Sequence, residues 1–355
     1  MNKTDSGIYT GHAPEEKIII AGPCSAETED QVMDTARALR DAGIHIFRAG
    51  VWKPRTRPGC FEGVGTPGLE WLKRVKKETG MMATTEVANA RHVEEAVNAG
   101  IDILWIGART TTSPFAVQEI ADSLRGTDIP VMVKNPVNPD IELWAGALER
   151  FDKAGTRRLA AIHRGFSTYG ERVYRNAPQW QIPIELRRRM PELPILCDPS
   201  HISGCTDHIL SISQTAMEMN ADGLIVEVHC NPAAALSDAS QQLTPAMFCE
   251  LIRQLDRRRT PDRAENDEMQ SLRSKIDGYD VQLLDILAKR MDVAVRIGEF
   301  KKSHGLTLLQ SDRYKEIVRS VADRGRELGL SEDFIGCLYE AIHTESLRRQ
   351  LENEK

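Results

Sequence analysis

Four side chains that can bind a divalent metal ion share one feature of placement in this sequence. Cys24, His201, Glu227 and Asp238 each lie at or just beyond the C-terminal end of a short apolar run. A thiolate, an imidazole and two carboxylates form a mixed set of ligands, which suits Mn²⁺, Fe²⁺, Co²⁺ or Zn²⁺ better than Mg²⁺ or Ca²⁺. Their spacing forms no compact motif, and a buried Cys or a capped loop His is the ordinary alternative. The residues do not choose among the four metals.

Hydrophobic periodicity predicts the elements that must position these ligands. Short apolar runs alternate with stretches of helical period, as expected for strands and helices in turn. Eight such units in about 240 residues predict an α/β fold, a closed (β/α)₈ barrel, whose active site is built at the C-terminal ends of the strands. Barrel closure makes the first, seventh and eighth units neighbours, and these units carry the four ligands. The runs are residues 17–24, 45–50, 81–87, 101–108, 129–135, 159–165, 193–201 and 223–229.

Five cations follow the strand-like runs at the same end as the metal-binding side chains. Arg48 and Lys53 follow the second run, and Arg109, Lys134 and Arg164 follow the fourth, fifth and sixth. Arg pairs bidentately with carboxylate or phosphate, so the expected ligand carries both groups or several phosphates. A single such residue is usually solvated or paired in an ion pair. Five on successive strands favour an anion pocket at the mouth of the barrel.

Composition excludes several classes of function. The chain has 355 residues, a net charge of −6 and 28% charged residues. The two signs of charge are interleaved, which argues against nucleic-acid or membrane-surface binding. The first apolar run is too short for a signal peptide or a membrane span. Seven cysteines without regular spacing suit a reducing compartment, so we expect a cytoplasmic protein.

A change of pattern near residues 257–268 predicts a domain boundary. This segment contains Pro261 and many charges, and it lacks apolar periodicity. We therefore expect a barrel over residues 1–258, a linker over 259–268 and an all-helical domain over 269–355.

One predicted helix of the second domain is too long to be covered by its own domain. Residues 269–302 keep an almost uninterrupted helical pattern, which gives a length of about 50 Å at ~1.5 Å per residue. Two shorter helices are expected at about 311–328 and 331–351. The apolar stripe of the long helix should pack against a partner chain, which predicts a homodimer. The stripe consists of Leu272, Ile276, Tyr279, Leu283, Leu287, Met291 and Ala294.

Seven short motifs of the barrel region carry a family resemblance. They are GPCS at 22–25, KPRT at 53–56, IGAR at 106–109, VKN at 133–135, DPSH at 198–201, VEVH at 226–229 and SDASQQL at 237–243. Together they resemble the motifs of 3-deoxy-D-arabino-heptulosonate 7-phosphate (DAHP) synthases of the compact Iβ class. The resemblance implies a metal-dependent, aldol-like condensation of phosphoenolpyruvate with erythrose 4-phosphate. It also implies that the metal is held by the four ligands named above, that the five cations hold phosphoenolpyruvate, and that Arg55 and Thr56 receive the sugar phosphate.

Two residues have more specific roles in this resemblance, and one motif argues against a sibling family. Lys53 is a candidate proton donor to the new alkoxide, and Glu86 a candidate to orient the attacking water. The synthases that make 3-deoxy-D-manno-octulosonate 8-phosphate generally have Lys-Ala-Asn where this chain has Lys53, Pro54 and Arg55. Pro stiffens the loop and Arg binds a phosphate, which favours the shorter sugar.

Three cations of the helical domain lie on or beside its apolar stripe. An unpaired charge is costly at such positions, and Arg273, Arg290 and Lys301 all occupy them. Asp280 could pair with one of the three as a structural ion pair. One carboxylate cannot neutralise three cations along a long helix, so a bound polyanion explains them better.

The helical domain resembles the all-helical chorismate mutases over residues 269–351. The resemblance implies an intertwined dimer in which Arg273 reaches the partner's pocket, and a pericyclic rearrangement of chorismate to prephenate that needs only positioning and charge. Gln310 stands where many members have Asp, and Tyr314 where many have Glu. The residues at the positions of the family's site are Arg273, Arg290, Lys301, Gln310, Arg313, Ser346 and Gln350.

Together the two resemblances predict a bifunctional enzyme of aromatic biosynthesis. The alternative is a synthase whose helical domain only senses chorismate or prephenate. In either case we expect one of these two molecules to inhibit the barrel by way of the helical domain.

Overall fold

The computed structural model describes residues 17–170, 173–255, 263–307 and 311–352. The chain divides into two compact units, Met1–Arg258 and Arg259–Lys355. The described residues include no helix that is long and apolar enough to span a membrane.

The first unit is a closed barrel of eight parallel strands in sequence order, which confirms the predicted fold. Closure pairs β1 with β8 along the full length of both strands, from Ile18 beside Gly223 to Gly22 beside Glu227. This pairing brings the first and last units of the chain together at the C-terminal ends of the strands. The strands are β1 Ile18–Gly22, β2 Ile46–Arg48, β3 Met82–Val87, β4 Ile103–Ile106, β5 Val131–Lys134, β6 Leu159–His163, β7 Ile195–Cys197 and β8 Gly223–Glu227.

Helices follow the strands and form the outer layer of the barrel. Side chains alternate along each strand, so Ile20 lies in the inner apolar cluster and Ala21 in the larger cluster between strands and helices. Burial on both faces explains why the strands read as continuous apolar runs. The helices of this unit are α1 Glu29–Asp41, α2 Pro67–Thr79, α3 Ala90–Asn98, α4 Ala108–Thr111, α5 Pro114–Ser123, α6 Ile141–Ala154, α7 Gln181–Arg189, α8 Pro199–Ser203, α9 Ile209–Glu218 and α10 Pro245–Gln254.

A glycine at the end of β1 allows the ends of β1 and β2 to lie close together at the mouth of the barrel. Gly22 has a φ of +150°, and a Cβ on it would lie 2.1 Å from the backbone oxygen of Arg48. Any larger residue would push β2 away and move the Arg48 side chain. The GPCS motif therefore sets the positions of two predicted site residues, Cys24 and Arg48.

The second unit consists of three helices, α11 Arg263–Ser303, α12 Ser311–Glu327 and α13 Glu332–Glu352. Helix α11 begins inside the segment that we predicted as a linker over 259–268, so that expectation was wrong for residues 263–268. After Pro261 this segment contains no further Pro and no Gly, the residues that most often break a helix.

The apolar stripe of α11 differs between its two halves. Met291 and Ala294 are 5% and 7% exposed, because α13 packs beside them. Leu272 and Ile276 are 53% and 57% exposed. The half of the stripe nearer the N-terminus is therefore uncovered within one chain, as a dimer would require.

Candidate active sites

Barrel closure places the four predicted metal ligands at one end of the barrel as two close pairs. Cys24 Sγ lies 3.2 Å from Asp238 Oδ2, and His201 Nε2 lies 3.7 Å from Glu227 Oε1. The pairs do not converge on one point, and among the described residues no group of three or more such side chains is arranged to hold a metal ion. Glu227 Oε1 also accepts a hydrogen bond from Arg48 Nη2 at 3.0 Å.

Asp198 orients the predicted histidine ligand. It caps α8, where its Oδ1 accepts from the backbone N–H of His201 at 3.1 Å. Its Oδ2 lies 2.8 Å from His201 Nδ1 and accepts from Lys134 Nζ at 2.8 Å. Burial opposes ionisation of Asp198, but the His201 ring and the Lys134 ammonium outweigh it and hold its pKa well below the ordinary value. His201 Nε2 is thereby turned toward Glu227, as second-sphere carboxylates orient metal-binding histidines.

The protonation states in this cluster suit a metal site. Burial, and next the charge of Glu227, raise the pKa of the Cys24 thiol to about 12. Cys24 therefore keeps its proton, and its S–H group donates a hydrogen bond to Asp238. Burial lowers the pKa of His201, which leaves a neutral imidazole. A divalent metal ion would replace the thiol proton and gain two carboxylates and a neutral imidazole, so the donor set fits such an ion.

Arg48 is a buried cation with spare hydrogen-bonding capacity. Its side chain is fully buried, and its guanidinium carbon lies 5.0 Å from the ring centre of Trp105. Among the described residues only Glu227 accepts from it, through Nη2, whereas Nε and Nη1 have no partner there. Buried N–H groups normally have partners, so an anion at the mouth of the barrel is the partner that this geometry favours.

Lys53 and Glu86 lie close together in one pocket at the mouth of the barrel. Lys53 Nζ donates to the backbone oxygen of Cys24 at 3.2 Å and lies 3.9 Å from Glu86 Oε2. Trp105 Nε1 also donates to Glu86 Oε2, at 3.3 Å. A Cβ on Gly107 would lie 2.0 Å from Glu86 Oε1, so this carboxylate can occupy its place only beside a glycine.

The other predicted cations line the same pocket. Arg164 is buried and donates to Asn176 Oδ1 at 2.6 Å; burial lowers its pKa to about 10, which still leaves it charged at neutral pH. Arg109 is exposed and donates to Thr56 Oγ1 at 2.8 Å. The pocket is lined by Lys53, Pro54, Arg55, Glu86, Gly107, Ala108, Arg109, Lys134, Arg164, Arg175, His201 and Asp238.

Three residues of this site had no role in the sequence analysis. Asp198 and Gln241 lie inside motifs that carried the resemblance, so their motifs could have drawn attention to them. Gln241 Nε2 donates to Glu227 Oε2 at 2.7 Å. Arg175 donates to Asp238 Oδ1 at 2.8 Å, and nothing in its local sequence marks it.

The helical unit brings together three of its predicted site residues. Arg290 Nη1 on α11 donates to Ser346 Oγ on α13 at 2.7 Å, and Ser346 is 6% exposed. Gln350 lies one turn further along α13, and its buried side-chain oxygen has no partner within the described part of the chain. A Cβ on Gly298 would lie 2.9 Å from Gln350 Cγ, so the glycine lets the two helices approach at this point.

Of the other predicted residues of the helical unit, two lie on α11, and the side chains of the other two fall outside the part that the structure describes. Arg273 is exposed, about 25 Å from Arg290 along the helix at ~1.5 Å per residue. Lys301 lies in the last turn of α11. Gln310 and the side chain of Arg313 lie outside the described residues.

Comparisons with known proteins agree with this division of the chain. The model described as the DAHP synthetase I family matches residues 2–260, and the model described as chorismate mutase type II matches residues 272–351. The chain therefore belongs to the DAHP synthetase I family. With its C-terminal chorismate mutase domain, it is a bifunctional enzyme of the shikimate pathway.

Similar proteins were found for both regions. A phospho-2-dehydro-3-deoxyheptonate aldolase of Thermotoga maritima is 35% identical over 237 residues, which cover 67% of this chain and 68% of that protein. The crystal structure of a DAHP synthase from the same species has a TM-score of 0.61 at 33% identity and covers 67% of this chain and 68% of that one. A 4-amino-4-deoxychorismate mutase of Streptomyces venezuelae is 37% identical over 84 residues, which cover 24% of this chain and 82% of that protein.

Proposed function

We propose that the barrel condenses phosphoenolpyruvate with erythrose 4-phosphate and that it requires a divalent metal ion. The observation that carries the proposal is the buried guanidinium of Arg48, which has two unpartnered nitrogens beside paired metal-ligand side chains. A small acid that bears both carboxylate and phosphate satisfies such a cluster of cations. The metal would be Mn²⁺, Fe²⁺, Co²⁺ or Zn²⁺, held by Cys24, His201, Glu227 and Asp238.

The residues of the pocket divide between the two substrates. Arg48, Lys53, Arg109, Lys134 and Arg164 hold the carboxylate and phosphate of phosphoenolpyruvate. Arg55 and Thr56 receive the phosphate of the sugar. Arg55 now donates to Asp238 Oδ2 at 3.3 Å, and Thr56 accepts from Arg109. In this proposal the phosphate of the sugar replaces Asp238 as the partner of Arg55 and Arg109 as the partner of Thr56.

The reaction joins two carbons and releases phosphate. The methylene carbon of phosphoenolpyruvate attacks the aldehyde carbon, water adds to the oxygen-bearing carbon, and the carbon–oxygen bond to phosphate breaks. A bound divalent metal ion supplies Lewis acidity at the aldehyde oxygen. In this proposal Lys53 gives a proton to the new alkoxide. Burial by itself would lower the pKa of Lys53, but the neighbouring acidic groups of Cys24, Glu86 and Glu227 outweigh burial and raise it. Glu86 orients the attacking water.

The test measures phosphate release by the full-length protein with two sugar phosphates. Metal-free protein is prepared with a chelator, and each of the four metals is then added back. We expect turnover with erythrose 4-phosphate that depends on metal. Faster turnover with arabinose 5-phosphate would instead indicate the sibling octulosonate synthase, and full activity in the chelator would overturn the metal requirement.

We propose further that the helical unit acts as a homodimer in rearranging chorismate to prephenate. In this arrangement Arg290, Lys301, Arg313, Ser346 and Gln350 of one chain bind the substrate, and Arg273 comes from the second copy. The bond between Arg290 and Ser346 and the unpartnered oxygen of Gln350 support this, because they place a donor and an acceptor on facing helices. The uncovered half of the α11 stripe supports the dimer.

Loss of chorismate from solution, followed in the full chain, tests the mutase proposal. Chorismate and 4-amino-4-deoxychorismate are compared because one relative is named for the amino compound. Turnover of chorismate would support the proposal. Tight binding without turnover of either compound would mean that the unit is only a sensor.

A third proposal is that prephenate or chorismate, bound to the helical unit, inhibits the barrel by shifting its conformational population. Synthase rates are measured against each compound for the full chain and for Arg290→Ala. We expect the variant to need at least 10-fold more effector, equivalent to ~1.4 kcal/mol of lost binding. Equal inhibition of both proteins would place the effector on the barrel itself.

A further inference from the structure

Asp238 is the one predicted metal ligand whose position does not come from a strand or from the helix that follows it. Glu227 ends β8, Cys24 follows β1 closely and His201 lies in α8 directly after β7. Asp238 lies well beyond β8, directly before a short 3₁₀ helix, Ala239–Gln241, and its φ of +49° is uncommon for a residue with a side chain. Its carboxylate must therefore be held in place by contacts from other parts of the barrel.

Arg175, in the connection between β6 and β7, makes those contacts. Its Nη1 donates to Asp238 Oδ1 at 2.8 Å and to Gln241 Oε1 at 2.7 Å. Gln241 is fully buried, and its Nε2 donates to Glu227 Oε2 at 2.7 Å. One guanidinium nitrogen thus reaches both predicted carboxylate ligands, Asp238 directly and Glu227 through one amide.

The backbone of Arg175 is tied to the element that carries the third ligand. Its N–H donates to the Ser203 carbonyl at the end of α8, at 3.1 Å. A Cβ on Gly204 would lie 2.4 Å from Arg175 Cβ, so only glycine at this position admits Arg175 so closely. The next residue, Asn176, donates to the His201 carbonyl at 2.6 Å. Arg175 therefore lies where the connections that carry three of the four ligands meet.

We infer that Arg175 is a positioning residue that sets the metal affinity of the synthase site by fixing Asp238 and Glu227. The inference rests on the proposed metal ligands. Arg175 donates to Asp238 and, through Gln241, acts on Glu227, so its removal should weaken metal binding, and excess metal should restore turnover. Outer-sphere partners of metal ligands typically contribute about 10- to 100-fold in affinity.

The experiment titrates metal-free, full-length protein with Mn²⁺ and follows free Mn²⁺ by electron paramagnetic resonance. Arg175→Ala should raise the Mn²⁺ dissociation constant about 10- to 100-fold. Arg175→Lys should raise it less, because Lys keeps the positive charge but lacks the planar set of guanidinium donors. Gln241→Met should also weaken Mn²⁺ binding. The double variant should raise the dissociation constant by less than the product of the two single effects, because Arg175 acts on Glu227 through Gln241. At saturating Mn²⁺ the KM values for both substrates should match wild type.

Arg187→Ala is the matched control. Arg187 lies in the same connection between β6 and β7 and pairs with Asp222 at 2.7 Å, but Asp222 directly precedes β8, at the other end of the barrel. This variant should bind Mn²⁺ as wild type does. An unchanged dissociation constant in Arg175→Ala, or a raised substrate KM at saturating Mn²⁺, would overturn the positioning role. Wild-type protein that binds no Mn²⁺ would overturn the ligand assignment first, and this inference with it.

Discussion

The two units of the chain build anion sites in different ways. The barrel buries its cations within one chain: Arg48 is fully buried and Lys134 is 5% exposed. The helical unit holds Arg290 on an exposed helix, and half of its apolar stripe faces solvent. Closed strands direct many side chains to one point within one chain, whereas the proposed site of the helical unit takes Arg273 from a second copy. The barrel site is therefore expected to be complete in a single chain and the helical site is not.

The sharpest test of this comparison removes one barrel ligand. Cys24→Ala should lower the synthase rate by about 10³-fold or more, because the lost Lewis acid contributes several kcal/mol. The mutase rate should remain at the wild-type value. Both rates are measured on one preparation. A chelator should likewise abolish the synthase rate and leave the mutase rate unchanged. A synthase that survives both treatments would show that Cys24 binds no essential metal.

The matching test in the helical unit is Arg290→Ala. Loss of a fixed cationic donor should lower the mutase rate by about 10²- to 10³-fold. The helix should remain folded, since Ala favours helices and, among the described residues, the variant loses the one hydrogen bond to Ser346. Circular dichroism and thermal unfolding provide the check. If the variant unfolds, Arg290 serves structure and not the substrate.

The need for a second copy can be tested on the exposed stripe. Ile276→Asp should raise the dimer dissociation constant at least 100-fold, because two buried Ile side chains contribute about 3 kcal/mol or more. Mutase activity should fall with dilution while the synthase rate persists. Sedimentation velocity measures the assembly. Val281→Asp is the control: Val281 is 59% exposed but lies about 140° around the helix from Ile276. Equal dissociation in both variants would contradict an interface along the stripe.

The smallest expected effect is a pH dependence confined to the barrel. Burial raises the pKa of Cys24 to about 12, so the thiol is protonated at neutral pH and metal binding must displace that proton. The pKa of His201 is lowered, so its ring contributes no second proton above neutrality. The metal dissociation constant should therefore fall about tenfold per pH unit between pH 7 and 9. Competition with a metal-binding dye measures it, and an affinity independent of pH would contradict binding through the thiolate.

Local patterns in the sequence were sufficient for the architecture. Each strand of the barrel is buried on both faces, so its apolar run is visible without knowledge of its neighbours. Residues at the ends of those runs, such as Arg48, Lys134 and Glu227, could be assigned to the mouth of the barrel for the same reason. The long helix was equally visible from its period, although its start at Arg263 was not, because charged residues without an apolar stripe can be linker or helix.

Only the tertiary structure decided which charges meet. The partners Lys134 and Asp198 are 64 residues apart, and Arg175 and Asp238 are 63 apart. These contacts depend on the curvature of the barrel and on the paths of its loops, which no local period records. Buried apolar residues recur at regular intervals along a strand or helix, so the sequence of that element shows them. Ion pairing depends instead on distances of a few ångströms between separate elements. The sequence by itself therefore determined the barrel, its functional end and the stripe of the long helix, and only folding decided that Arg175 lies against Asp238.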